Sequence, residues 1–81
     1  MRLPRDLSGD DLARSLVVLG YRITRQTGSH MRLTTEQAGQ HHLTIPRHDP
    51  LRVGTLASIL QDVAQHFGWT RDEVEEKLFH G

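Results

Sequence analysis

YRITRQTGSHMRLTTEQAGQHHLTIP, residues Tyr21 to Pro46, decides the fold. Three runs inside it alternate apolar and polar residues: Tyr21–Gln26, His30–Thr35 and His41–Pro46. A glycine turn at Gly28 separates the first two, and Glu36–Gln40 separates the last two. Short alternating runs joined by short turns predict an antiparallel meander of three strands. Pro46 ends the third strand, because proline has no N–H to give to a ladder. The period of two then assigns the faces. Ile23, Met31, Leu33, Leu43 and Ile45 share the inward parity, whereas Arg22, Thr24, Gln26, His30, Arg32, Thr34, His42 and Thr44 share the outward one. Small sheets with one apolar and one polar face are covered by helices on the apolar side only.

The flanks supply those helices. Before the sheet, Ser8-x-x-Asp11 has the form of a capping box and opens a helix over Gly9–Leu19. Leu12, Leu16 and Leu19 recur at helical spacing, with Ala13 and Val17 widening the stripe. Gly20 supplies the left-handed stop. After the sheet, Arg47–Val53 is a connector, and Gly54-Thr55 opens a second helix with Thr55 as its cap. Its stripe is Leu56, Ile59, Leu60, Val63 and Phe67, ended by Gly68. Thr70-x-x-Glu73 caps a short third helix, which buries Val74 and Leu78, and Trp69 fills the corner between the last two helices. Tyr21 is expected to be buried where the first helix ends. His66 and His80 read as surface residues. The expectation is an α+β fold, α-β-β-β-α with a short C-terminal helix.

At 81 residues the chain is one compact domain, residues 1–81. A domain of this size has a modest core, so a large substrate must lie on its surface. With no cysteine there is neither a disulfide framework nor a thiolate metal site. No apolar run approaches the roughly 20 residues that span a bilayer. The N-terminus lacks the apolar core of a signal peptide, so a cytoplasmic location with no membrane partner is expected. Net charge is zero but unevenly spread. Residues 1–35 hold six arginines against three aspartates, and residues 61–81 hold five acids against Arg71 and Lys77. Nine of the ten basic residues are arginine, whose planar fork matches phosphate.

Six histidines are the candidates for chemistry. A metal site is disfavoured, since His41 and His42 are strand neighbours and point to opposite faces. No carboxylate accompanies them at a ligand spacing. A Ser29–His30 nucleophile is disfavoured on the same ground, that adjacent strand residues diverge. Acid–base chemistry on a phosphodiester fits better. Histidine as a residue type serves as acid or base near neutral pH, and fixed arginine stabilises developing charge. His30 and Arg32 share a face one repeat apart at the mouth of the Gly28 turn, and Arg22 and Arg25 come from the strand alongside. Tight turns often need positive φ, which assigns Gly28 to backbone geometry. Arg47 and His48 stand at the sheet edge.

Gly20-Tyr21, Gly28-Ser29-His30, Leu43 to His48 and Gly54 to Leu60, in this order and at these spacings, resemble the HicA family of bacterial toxins, also called YcfA-like proteins. The resemblance runs from about Leu7 to Phe79. It implies a fold like a double-stranded-RNA-binding domain. It also implies a type II toxin that cleaves messenger RNA without the ribosome or a metal, neutralised by a HicB-like antitoxin. The histidine of the Gly-Ser-His turn is the family's catalytic residue and falls on His30. The expected RNA contacts are Arg22, Arg25, Ser29, Arg32, Arg47 and His48, with no cofactor. Two other readings compete: a non-catalytic RNA-binding module of the same fold, and an interaction protein whose polar face docks a partner chain. Loss of cleavage on His30→Ala separates the enzyme from the first. Steep salt dependence, expected for phosphate binding, separates it from the second.

Overall fold

The computed structural model describes residues 6–79. His80 lies outside them. The order is α1 (Gly9–Ser15), a 3-10 turn (Leu16–Leu19), β1 (Arg22–Gln26), β2 (His30–Thr35), β3 (His41–Pro46), α2 (Val53–Phe67) and α3 (Arg71–Phe79). The strands form one antiparallel sheet in the order β1-β2-β3. The architecture is α+β with a three-stranded antiparallel sheet, as the alternation predicts.

The Ser8 capping box forms as expected. The Asp11 N–H donates to the Ser8 hydroxyl at 3.0 Å, and the Ser8 N–H donates to the Asp11 carboxylate at 3.2 Å. Arg14 pairs with the same carboxylate. The Ser8 backbone N–H above all, then the Ser8 side chain and Arg14, hold Asp11 below the ordinary carboxylate range.

The predicted span Gly9–Leu19 is helical throughout, but its last turn tightens to 3-10 winding. At three residues per turn, Leu16 and Leu19 eclipse each other and both face the core. Val17 and Val18 are left outside, 62% and 57% exposed, so Val17 does not widen the apolar stripe. Gly20 ends the turn with φ 82°.

Gly9 is where α1 crosses the end of β3. A Cβ placed there would lie 2.1 Å from the Pro46 carbonyl oxygen, and the Gly9 N–H donates to the His48 carbonyl at 2.9 Å. Only a residue without a side chain lets the two backbones approach this closely.

α2 starts at Val53 rather than at Gly54-Thr55. Arg52 occupies the cap position with no side-chain cap, so Thr55 is an ordinary first-turn residue. Leu56, Ile59, Leu60 and Val63 are buried as expected, and Gly68 ends the helix with φ 72°. They pack with Leu12, Leu16, Tyr21, Met31, Leu33, Leu43 and Ile45 in one core. Each fully buried aliphatic side chain contributes about 1.5–3 kcal/mol.

The Thr70–Glu73 box caps α3, and Val74 is buried. Trp69 fills the α2–α3 corner, stacked on Phe67 at 4.6 Å with the Lys77 ammonium 4.7 Å above its ring. Ile23 keeps the inward parity, opposite Leu33, yet is 50% exposed. β1 is an edge strand, and the short α1 leaves its rim open.

Candidate functional site

Strict alternation would put Arg25 on the helix side of β1 and Gln26 on the polar side. The register reverses both. Ile23 lies opposite Leu33, but Arg25 lies opposite Arg32 and Gln26 opposite Met31, because the pairing slips by one residue between Ile23 and Arg25. A bulge of this kind re-aims the residues beyond it. Two guanidinium-bearing residues are thereby set side by side on the outer face. Neither Arg25, Arg32 nor Arg22 makes an ion pair with any described residue. Like charges directly opposite in a sheet are destabilising, so this pair is a folding liability that an anion would relieve.

His30 begins β2. Its carbonyl accepts the Thr27 N–H at 2.9 Å, which closes the turn. Gly28 does not have a left-handed φ, and a Cβ there would meet nothing within 4 Å. The turn therefore does not require glycine at this position, contrary to expectation. Ser29 and His30 do not diverge either. Ser29 sits in the turn rather than the ladder, and its Oγ lies 3.0 Å from His30 Nδ1. A hydroxyl both donates and accepts, so this contact holds the ring in either tautomer. The ring is exposed, and Nε2 has no partner among the described residues. It shares a depression of about 290 Å³ with Arg25, Thr27, Met31, Arg32 and Thr44.

A second depression, about 350 Å³, continues along the same face. Arg22, Arg25, Arg32 and His42 line it, with Glu36 and Gln40 at its rim. The Thr34 hydroxyl, at its floor, lies 2.9 Å from Thr24 Oγ1 and 2.8 Å from His42 Nδ1. The outward parity places His42 here, but nothing local in the sequence distinguishes it. The signal available was its shared face with Arg22 and Arg32.

The remaining expected contacts are not brought to His30. The Arg47 guanidinium pairs with Asp10 of α1 at 3.4 Å, although the Arg47 N–H donates to the Ser29 carbonyl at 2.8 Å. His48 is exposed in the connector, and its carbonyl serves Gly9. Neither side chain lines the His30 depression.

His41 and His66 belong to the packing. The Tyr21 hydroxyl lies 2.8 Å from His41 Nδ1, and His41 Nε2 lies 3.1 Å from the Asp62 carboxylate. The carboxylate only accepts, so Nε2 carries the proton, and in the neutral ring Nδ1 accepts from Tyr21. Burial first, and the Asp62 charge second, push the Tyr21 phenol well above its ordinary range, so it stays protonated. His66, expected as a plain surface residue, stacks on His41 at 4.4 Å and donates to the Gln37 carbonyl at 2.9 Å. No three His, Cys, Asp or Glu side chains among the described residues are grouped to hold a metal ion. No described helix is long and apolar enough to cross a membrane.

Fold and site together define a small α+β protein with an exposed imidazole and unpaired guanidinium groups on the bare side of its sheet. The sequence model of the family described as HicA toxin of bacterial toxin-antitoxin matches residues 9–65. The chain belongs to the HicA toxin family, whose members act with a partner antitoxin. No curated protein and no solved structure matches it.

Proposed function

We propose that this toxin is a metal-independent endoribonuclease that cleaves messenger RNA in the cytoplasm, with His30 as its general acid–base group. The observation that supports this reading best is the exposed His30 ring, held by Ser29 in one depression with Arg25 and Arg32. With Nδ1–H donating to Ser29 Oγ, Nε2 is bare and takes the proton of a ribose 2′-hydroxyl. The 2′-oxygen then attacks the adjacent phosphorus. The bond to the 5′-oxygen breaks, and that oxygen leaves with a proton, returned by the same imidazolium or by water. Arg25 and Arg32 hold the non-bridging oxygens and offset the charge that builds on them. Guanidinium and hydroxyl groups dominate the surroundings, a donor set for acid–base and electrostatic work rather than for metal ligation. Arg22 flanks the site. The HicB-like antitoxin neutralises the toxin by covering this face with acidic groups.

The test is cleavage of RNA by purified His30→Ala. General acid–base catalysis typically contributes about 10²–10⁴-fold. We expect a loss of that order, with an unchanged melting temperature and retained antitoxin binding. Wild-type cleavage by the variant sinks the proposal.

A further inference from the structure

We propose that Arg22, Arg25, Arg32 and His42 form a second ribonucleotide subsite, in which the guanidiniums take a phosphodiester and His42 Nε2 accepts a hydrogen bond from the ribose 2′-hydroxyl. This rests on the reading that the chain acts on RNA, and extends it from one phosphate to a tract.

The hydrogen-bond chain beneath His42 sets its tautomer. Thr24 Oγ1 donates to the Arg32 carbonyl at 3.3 Å, and a carbonyl can only accept. Having spent its proton there, the Thr24 hydroxyl accepts from Thr34 at 2.9 Å. The Thr34 hydroxyl therefore accepts from His42, across 2.8 Å, so the proton of the neutral ring sits on Nδ1. Nε2 is left as a bare acceptor, with no partner among the described residues. Thr34, the middle link of the chain, is 8% exposed although it belongs to the outer face. A fixed acceptor beside unpaired guanidiniums matches a ribonucleotide at two points, the phosphate and the 2′-hydroxyl donor. The 2′-hydroxyl is the group by which a protein tells RNA from DNA.

The subsite is separate from His30. Thr34 lies directly opposite His42 and four residues along β2 from His30, about 13 Å at the rise of a strand. That is too far for one phosphate to touch both rings, since charge-assisted hydrogen bonds are about 2.7–2.9 Å long. Arg25 and Arg32 line both depressions and bridge them. Glu36, tied to Gln40 at 3.2 Å, opposes the anion from the rim.

The experiment measures binding of an RNA decamer and a DNA decamer of the same sequence to the full chain carrying His30→Ala, which keeps it independent of catalysis. RNA should bind about five-fold more tightly, the worth of one neutral hydrogen bond. Adding His42→Ala should erase that preference. Arg22→Ala should weaken both decamers alike and lower the slope of log affinity against log salt by about 0.7. Glu36→Gln should tighten both. Arg22, Glu36 and His42 are exposed, and circular dichroism confirms that each variant is folded. Equal affinity for RNA and DNA, or a preference that survives His42→Ala, overturns the subsite. Binding of neither decamer overturns it too, and leaves the face to a protein partner. The proposed nuclease fails by a different sign, intact RNA after incubation with the unsubstituted chain.

Discussion

His41 and His42 are neighbours in one strand, and alternation sends them to opposite sides of the sheet. On the helix side, His41 is built in: Tyr21 holds one ring nitrogen, Asp62 the other, and His66 stacks on its plane. On the bare side, His42 is anchored by one nitrogen only and its other nitrogen is open. The same contrast separates the cations. Arg14, Arg47 and Arg71 all have carboxylate partners. Arg22, Arg25 and Arg32 form no ion pair with the described residues, and two of them face each other. Polar groups that serve the fold are satisfied within it, because an unpartnered group in the interior is expensive; among the described residues the exception is the buried Glu75, whose Oε1 has no hydrogen-bond partner. Polar groups left open together on one surface are available to a ligand. Burial of Tyr21 and exposure of His30 follow the same division.

The largest effect is expected at the packed seam. Gly9→Ala forces a Cβ against the Pro46 carbonyl and should destabilise by about 3 kcal/mol, the upper end for overpacking. Gly28→Ala, on the bare side, meets open space and should leave the denaturant midpoint unchanged or slightly raised. If both glycines tolerate alanine, the close approach of α1 to β3 is wrong.

Next come the paired histidines. His41→Ala leaves the buried Tyr21 hydroxyl without its partner and should lose about 1–3 kcal/mol in urea unfolding. His42→Ala should stay within about 0.5 kcal/mol, as surface changes do. Equal losses would mean that the two sides of the sheet are not different in kind.

A smaller effect of opposite sign is expected at the arginine pair. Arg25→Ala removes one of two facing like charges and should stabilise by about 0.2–0.5 kcal/mol at low salt. The same change should weaken RNA binding. Destabilisation would show that Arg25 is part of the packing.

The smallest concerns Asp11, whose folded-state pKa is depressed, chiefly by the Ser8 backbone N–H. A depressed carboxylate adds stability above its unfolded pKa and loses it as pH falls through the folded value. Asp11→Asn should therefore melt lower than the parent at neutral pH, and the gap should close on acidification below the ordinary carboxylate range. A gap independent of pH would show that the charge of Asp11 contributes nothing.

Much of the architecture was legible along the chain. Capping boxes at Ser8 and Thr70, the left-handed stops at Gly20 and Gly68, and the three strands are local patterns, and local hydrogen bonding enforces them. The site was legible in part. His30, Arg22 and Arg32 share a parity that sequence reveals, and they do line the outer face. Arg25 joins them only through the bulge, and a one-residue slip in pairing leaves no mark in an alternation this short. Arg47 is drawn to Asp10, which stands 37 positions away in sequence. Thr55 is not the cap that its place before the apolar stripe suggests, because helix starts are set by where the connector delivers the chain, here with Leu51 buried and its N–H bonded to the Leu7 carbonyl.

By itself, the sequence determined which segments are helix and strand and which sheet face is polar, since hydrophobic period and capping act over a few residues. Tertiary structure decided what local spacing could not. Arg14 and Arg71 find carboxylates within their own helices, but the partners of Arg47, His41 and His66 come from distant segments packed beside them. The pairing of Arg25 with Arg32 on the open face follows a register set by the whole sheet rather than by any one strand.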